Sequence, residues 1–266
     1  MSTARKLALS VTAATLVVVA ACSSETEGTP SAALESSPVH SGSPTLTPTS
    51  TAPSVPPANP EGTEYTATSV QVAGDTGTVR YDVTVPQVEG GDAAVAAEFN
   101  ESMRAALQDQ IDGAPGQSFT LESRDESEVA HIGSRVLSGL LVTSWNADPP
   151  GAHPTPLVAT VVVDTDNGQP ITLNTLFPDL QAGLDRLSGE AALLLPETAA
   201  GAEFERSGIE PTHQNFANWL ATPDGMEIRF SDYQVGPHAI GLVTVTIPWD
   251  RVQDVMAPAM VDVVSS

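Results

Sequence analysis

Residues 79–112, VRYDVTVPQVEGGDAAVAAEFNESMRAALQDQID, contain a strand pattern followed directly by a helix pattern. From residue 79 to residue 85 every second position is apolar, which is the period of a half-buried strand. Apolar residues then recur every four positions and predict a helix over residues 92–112, with Asp92 as its N-cap. This stripe consists of Val95, Phe99, Met103, Leu107 and Ile111. We therefore expect this stripe to face the hydrophobic core rather than a ligand.

The chain on either side adds more strands than helices. Strands are predicted over residues 118–123, 129–146, 156–164, 226–230 and 239–248, and helices over residues 179–195, 215–220 and 249–260. These elements do not alternate strictly as strand, helix, strand, so a doubly wound parallel sheet is not expected. The pattern predicts an α+β fold with mixed or antiparallel sheets and two to three packed helices.

The N-terminus has the pattern of an export signal. Arg5 and Lys6 precede a 15-residue apolar run, Leu7–Ala21, which ends in small residues. Cys22, the single cysteine of the chain, follows directly. This arrangement resembles the bacterial lipobox, which implies removal of residues 1–21 and a diacylglycerol on the thiol of Cys22. We therefore expect a lipid-anchored protein on the extracytoplasmic face of the cell membrane; a free thiol behind an ordinary cleaved signal is the alternative.

Residues 22–60 are predicted to be the lipidated cysteine and a disordered tether. The segment is rich in Ser, Thr and Pro and contains no aromatic residue, so it has too little apolar surface to offset the entropy of ordering. As a flexible coil it would span about 35 Å. Beyond it we predict a β-rich subdomain with one helix over residues 61–144 and a second subdomain over residues 145–266.

The charge of the chain limits the classes of partner. The formal net charge is −23, with 33 acidic and 10 basic residues. Such a surface has no cluster of cations with which to displace counterions from nucleic acid, so nucleic-acid binding is not expected. Two interpretations stay open: attraction of a basic extracellular protein, or a surface that serves solubility alone.

The usual catalytic and cofactor motifs are missing from the sequence. No Gly-x-Ser-x-Gly elbow, His-Glu-x-x-His pair or phosphate-cradling glycine loop occurs. Glu210 and His213 have a spacing that suits metal ligands, but Pro211 lies between them and no matching second half exists. We therefore predict no metal, no cofactor and no assigned catalytic residue.

Two loops have unusual composition and supply the candidate binding residues. Gly151–Pro156 leads into a predicted strand, and Asp232–Gly241 connects two others. Both combine glycine, proline and histidine, and loops of this kind carry function more often than core segments do. The candidates are His153, Pro154, Tyr233, Pro237 and His238. The competing interpretation is that both loops only set the register of the strands they join.

These loops, in their order and spacing, resemble the RsiV C-terminal domain family, over roughly residues 145–256. The matching segments are Gly151–Pro154, Asp164–Gly168, Leu173 with Leu176-Phe177, Asp224–Phe230, Tyr233, Pro237–Gly241 and Ile247–Trp249. His238 stands where that family usually has tyrosine. The resemblance implies an α+β domain and non-catalytic binding of an extracellular protein such as lysozyme, or of a cell-wall component. Some relatives are described as esterases, so a weak hydrolase with His153 or His238 as base is the alternative, and a purely structural envelope role is a third.

Overall fold

The structure, a computed structural model, describes residues 64–113 and 116–266. A first sheet contains β1 (Thr66–Asp75), β2 (Val79–Glu89), β3 (Phe119–Ser123), β4 (Glu128–Ile132), β5 (Val136–Ala147), β6 (Thr155–Asp164) and β7 (Gln169–Pro170). A second contains β8 (Trp219–Thr222), β9 (Gly225–Phe230) and β10 (Val243–Ile247). The helices are α1 (Ala93–Asp112), α2 (Leu173–Leu176), α3 (Leu180–Leu194) and α4 (Pro258–Val264). The predicted signal peptide, Cys22 and the tether lie outside the described residues.

Strand β5 is the centre of the first sheet. It pairs antiparallel with β6 along one edge, and β3 and β4 share its other edge. Strands β2 and β3 are parallel and the remaining pairs are antiparallel, so the sheet is mixed. The predicted boundary at residue 145 falls inside β5, so this sheet contains strands from both predicted subdomains.

Helix α1 confirms the prediction from residues 92–112. The Asp92 side chain accepts hydrogen bonds from the N–H groups of Ala94 and Val95, which otherwise lack partners in the first turn. All five residues of the apolar stripe are buried. They share one hydrophobic cluster with sheet residues such as Val83 and Leu137. Burial of this stripe is what holds α1 on the first sheet.

The second sheet lies on the opposite face of β5. Alternate residues of β5 face in opposite directions, so Leu137 packs with α1 while Leu140 packs against Leu220 of β8. The other face of the second sheet packs against α3, through residues such as Leu184 and Ile228. The order of layers is therefore α1, first sheet, second sheet and α3. This arrangement confirms the α+β class, with four helices in the described residues, two of them short.

Two predicted strands differ from the structure. Residues 129–146 form the hairpin β4–β5 rather than one strand, because the chain turns at Gly133, whose N–H donates to the carbonyl of Val136. The strand predicted at 239–248 begins only at Val243. Residues His238–Ile240 form a 3₁₀ turn, and Gly241, with φ 70°, redirects the chain into β10.

Two predicted helices also differ. Residues 215–220 form the end of a 3₁₀ turn and then the start of β8, because Trp219 pairs with Ile228 of β9. The helix predicted at 249–260 is a 3₁₀ turn at Trp249–Arg251, followed later by α4. Pro258 is the first residue of α4, where its missing N–H costs nothing, and it could not lie inside a longer helix. None of the helices in the described ranges is long and apolar enough to traverse a bilayer.

Candidate functional site

The two loops singled out in the sequence meet in space. His153 lies in the loop between β5 and β6, and Tyr233 and His238 lie in the connection from β9 to β10. The rings of His153 and His238 stack with centroids 3.7 Å apart and planes 15° apart. The Tyr233 ring centroid lies 5.6 Å from that of His238, and its hydroxyl lies 3.4 Å from Nε2 of His153. We call these three residues the histidine–tyrosine cluster.

Asp232 contacts the histidine–tyrosine cluster at His238. Its Oδ2 lies 2.8 Å from Nδ1 of His238, and its side chain is 2% exposed. With Nδ1–H donating to this carboxylate, Nε2 of His238 is left as the free acceptor of the ring. The second carboxylate oxygen, Oδ1, is buried and has no hydrogen-bond partner among the described residues. Burying an unpaired acceptor is unfavourable, and the polar contact that offsets this cost at Asp232 is the one with His238.

Tyr233 projects from this loop in an unfavourable backbone conformation. Its φ is 63°, in the left-handed region that bulky residues avoid, and 57% of its surface is exposed. The next two residues fix the loop underneath. The Gln234 side chain donates to the carbonyls of Gly208 and Asn215 at 2.8 and 2.9 Å, and Val235 is buried. A strained and exposed aromatic residue on an anchored loop is typical of a functional position.

A groove of about 570 Å³ opens beside the cluster, between the two sheets. We call it the inter-sheet groove. Its lining residues are Arg124, Glu126, Pro154, Pro156, Arg229, His238, Ala239, Ile240, Gly241, Leu242 and Thr244. The volume lies within the range of about 300–1,000 Å³ that small-molecule sites occupy. His238 belongs to both the cluster and the groove.

The charged side chains of the groove are internally paired. Arg124 donates to Glu126 at 2.6 Å, and Arg229 to Glu227 at 2.7 Å. The hydrogen bond from Arg124 holds the pKa of Glu126 below its usual range, and the charges of Arg124 and Arg229 lower it further. Nε of Arg124 is buried and has no partner among the described residues. The groove thus presents fixed donors and acceptors with little net charge.

The five binding residues predicted from the sequence take different places in the structure. His153, Tyr233 and His238 come together, Pro154 lines the groove, and Pro237 caps the 3₁₀ turn that carries His238. The other described histidines lie elsewhere. Nε2 of His131 is 2.8 Å from the carbonyl oxygen of Ser266, and His213 lines a separate cavity of about 210 Å³. Within the described residues no group of His, Cys, Asp and Glu is arranged to hold a metal ion.

Sequence reasoning missed the charged part of the site. Asp232 had a detectable signal, because a carboxylate six residues before a histidine in one loop can orient the imidazole. The sequence gives no such signal for Arg124, Glu126 and Arg229. They lie on the β3–β4 connection and on β9, far apart along the chain, and they meet only because the two sheets face each other.

Comparison with known proteins gives a fold and a partial family match. Residues 174–250 match the family model described as "Protein of unknown function (DUF3298)", a range that covers α3 and the second sheet through β10. It overlaps the region where the sequence resembles the RsiV C-terminal domain family; that link itself stays a prediction. No curated protein matches the chain.

Two solved structures are similar to this chain. One is a member of the DUF3298 family from Bacteroides fragilis, with 16% identity and a TM-score of 0.51 over 76% of this chain and 98% of that one. The other is a DUF3298 family protein from Pseudomonas aeruginosa, with 16% identity and a TM-score of 0.44 over 76% and 95%. The first similarity shows a shared fold.

Proposed function

We propose that this protein is a cell-surface lipoprotein whose folded domain binds an extracellular partner without catalysis, through the histidine–tyrosine cluster. The observation that carries the proposal is Tyr233, held 57% exposed in a left-handed conformation by its anchored neighbours. Exposed aromatic residues beside a pocket are the usual anchors of protein interfaces. The stacked His153 and His238 support the ring, so little side-chain freedom is lost on binding.

The partner of this proposal is a basic protein, and lysozyme is its first probe. A net charge of −23 attracts cationic proteins over long range and accelerates their encounter. Attachment would be through a lipid on Cys22, with residues 23–60 as the tether. Mass spectrometry of the protein from its native host tests that part: a diacylglycerol on Cys22 supports it, and an unmodified thiol contradicts it.

The binding role is tested by calorimetric titration of the full-length protein with lysozyme. We expect saturable binding, and Tyr233→Ala should weaken it at least tenfold because the anchor ring is lost. Leu193→Ala is the matched control, since Leu193 is also a large exposed apolar residue, 65% exposed, but lies on α3. Equal loss in both variants, or no binding at all, would overturn the lysozyme version.

A second candidate function is favoured by one observation, the Asp232–His238 pair. A buried carboxylate that fixes the tautomer of a histidine is the arrangement by which imidazole serves as general base, here toward water at Nε2. An esterase-type hydrolase would use it. Hydrolysis of p-nitrophenyl acetate above background that is abolished in both Asp232→Asn and His238→Gln would support this candidate. Unchanged rates in both variants would remove it.

A further inference from the structure

We infer that the inter-sheet groove binds a short, neutral oligosaccharide. This inference rests on the proposed binding role and names a ligand class for the groove beside the cluster. It is carried by the groove's charge balance, by its donor and acceptor pattern and by the aromatic rings at its edge.

Charge excludes ions as the preferred ligands. An anion approaching the groove is repelled by a chain whose net charge is −23. A cation is attracted by this net charge over long range, but at the groove wall it meets the guanidinium groups of Arg124 and Arg229. Glu126 and Glu227 neutralise these two arginines, so the wall attracts neither sign of charge strongly. A neutral ligand suffers neither repulsion.

The polar groups of the groove suit hydroxyl ligands. Arg124 and Arg229 present several N–H donors in a plane, and their carboxylate partners keep free acceptor positions. The Thr244 hydroxyl adds a group that both donates and accepts. Sugar hydroxyls donate and accept at the same atom, so one hydroxyl can satisfy a guanidinium and a carboxylate together.

The edge of the groove supplies flat and apolar surface. His238 lines the groove and is stacked on His153, and the exposed ring of Tyr233 continues this surface. The faces of aromatic rings carry partial negative charge and attract the C–H groups of a pyranose ring. Pro154, Pro156 and Ile240 add apolar contact. A ligand with hydroxyls at its rim and C–H groups on its faces matches both features.

The test compares trimeric sugars that differ in charge. N-acetylchitotriose is neutral, its deacetylated form is cationic, and trigalacturonate is anionic. Calorimetry and saturation-transfer NMR on the full-length protein should show binding of the neutral trimer at least tenfold tighter than of either charged one. No binding of the neutral trimer, or equal binding of all three, would overturn the inference.

Variants locate the ligand. Arg229→Gln should weaken binding of N-acetylchitotriose at least tenfold, and Thr244→Val should weaken it severalfold without changing side-chain shape, which keeps the test valid if the first variant folds poorly. Arg80→Gln is the matched control, since Arg80 pairs with Asp75 on β1 and β2, outside the groove. Unchanged affinity in Thr244→Val and Arg229→Gln would contradict the assignment. If lysozyme still binds when no sugar does, the proposed function stands and this inference alone fails.

Discussion

Tyr233 adopts a backbone conformation that is unfavourable for a bulky residue. Left-handed backbone costs a residue with a Cβ atom roughly 1–2 kcal/mol, and asparagine tolerates this conformation better than most residues. More than half of the Tyr233 side chain faces solvent, so its packing returns little of that free energy. The strain therefore persists because the loop around it is fixed by Gln234 and Val235.

We predict that Tyr233→Asn raises the free energy of unfolding by about 0.5–1 kcal/mol while it weakens ligand binding. Urea denaturation measures the first effect and calorimetry the second. Tyr233→Ala is the control, because it removes the same ring but keeps a side chain that disfavours positive φ. If Asn and Ala give the same stability, backbone strain is not stored at this position.

Protonation of Glu126 at acid pH is expected to lower the stability of the fold. Its pKa is lowered below 4.5 chiefly by the hydrogen bond from Arg124. A depressed pKa means that the folded state favours the ionised form, so the stabilisation is complete above 4.5 and is lost as the pH falls through the folded pKa. The side chains of the pair are 36% and 44% exposed, which limits its contribution to under about 1 kcal/mol.

We therefore predict that Glu126→Gln is less stable than the parent at pH 7 and that the difference disappears at acid pH. Chemical denaturation at pH 7, at about 4.5 and at about 3 follows the difference. Glu203→Gln is the control, since Glu203 is exposed and makes no ion pair within the described residues. A difference that persists unchanged at the lowest pH would show that the ion pair is not its source.

The contact between the two sheets depends on the hydroxyl group of Ser138. This side chain is fully buried on β5, and its Oγ donates to the carbonyl of Ala221 at 2.8 Å and accepts from the N–H of Ala221 at 3.1 Å. One hydroxyl thus satisfies both backbone groups of a residue on β8. The Thr160 side chain likewise accepts a hydrogen bond from the N–H of Trp219, which is also on β8.

We predict that Ser138→Ala lowers the free energy of unfolding by about 1–3 kcal/mol, because it leaves a buried donor and acceptor of Ala221 unpaired. Denaturant unfolding is the measurement. Ser69→Ala on the exposed strand β1 is the control and should change stability by less than about 0.5 kcal/mol. Comparable effects of the two substitutions would mean that Ser138 does not hold the sheets together.

The elements themselves were predictable where local pattern and tertiary packing agree. Helix α1 has an N-cap, a continuous apolar stripe and no competing strand partner, so periodicity alone located it. Residues 215–220 have apolar residues that fit a helix equally well, but pairing of Trp219 with β9 makes the segment a strand. Local periodicity contains no information on that partner. Only the helix predicted over residues 249–260 was an avoidable error, since Pro258 excludes an uninterrupted helix there.

The histidine–tyrosine cluster was predictable in its residues but not in its geometry, and the charged residues of the groove were predictable in neither. Composition singled out His153 and His238 in two loops, 85 positions apart in the sequence. Their stacking follows from the placement of β6 and β10 in facing sheets, which no local signal specifies. The groove residues Arg124 and Arg229 are ordinary surface arginines in the sequence and become a pair of facing groups only in the fold.

Nearly all arginines in the described part of the chain pair with a carboxylate, so few are available to bind a ligand. Seven of the eight in the described part lie within 4.0 Å of a carboxylate. Arg206 instead stacks over the ring of Phe204, 5.0 Å from its centroid. The acidic residues far outnumber these cations, and their mutual repulsion disfavours the compact state. The same excess charge would draw a basic partner toward the protein.

Salt should therefore act with opposite sign on stability and on binding of a basic protein. Between about 0.1 and 1 M NaCl the screening length falls from about 10 to about 3 Å. We predict that the melting temperature rises over this range by about 2–4 °C, equivalent to about 1 kcal/mol, because self-repulsion is screened more than the short ion pairs are. Scanning calorimetry measures the melting temperature.

Over the same range of salt, the affinity for lysozyme should fall, since screening weakens the attraction between the net charges. The affinity for N-acetylchitotriose should stay constant. A melting temperature that falls with salt would show that ion pairs outweigh repulsion in this fold, and a salt-dependent affinity for the neutral sugar would place charge rather than hydroxyl recognition in the groove.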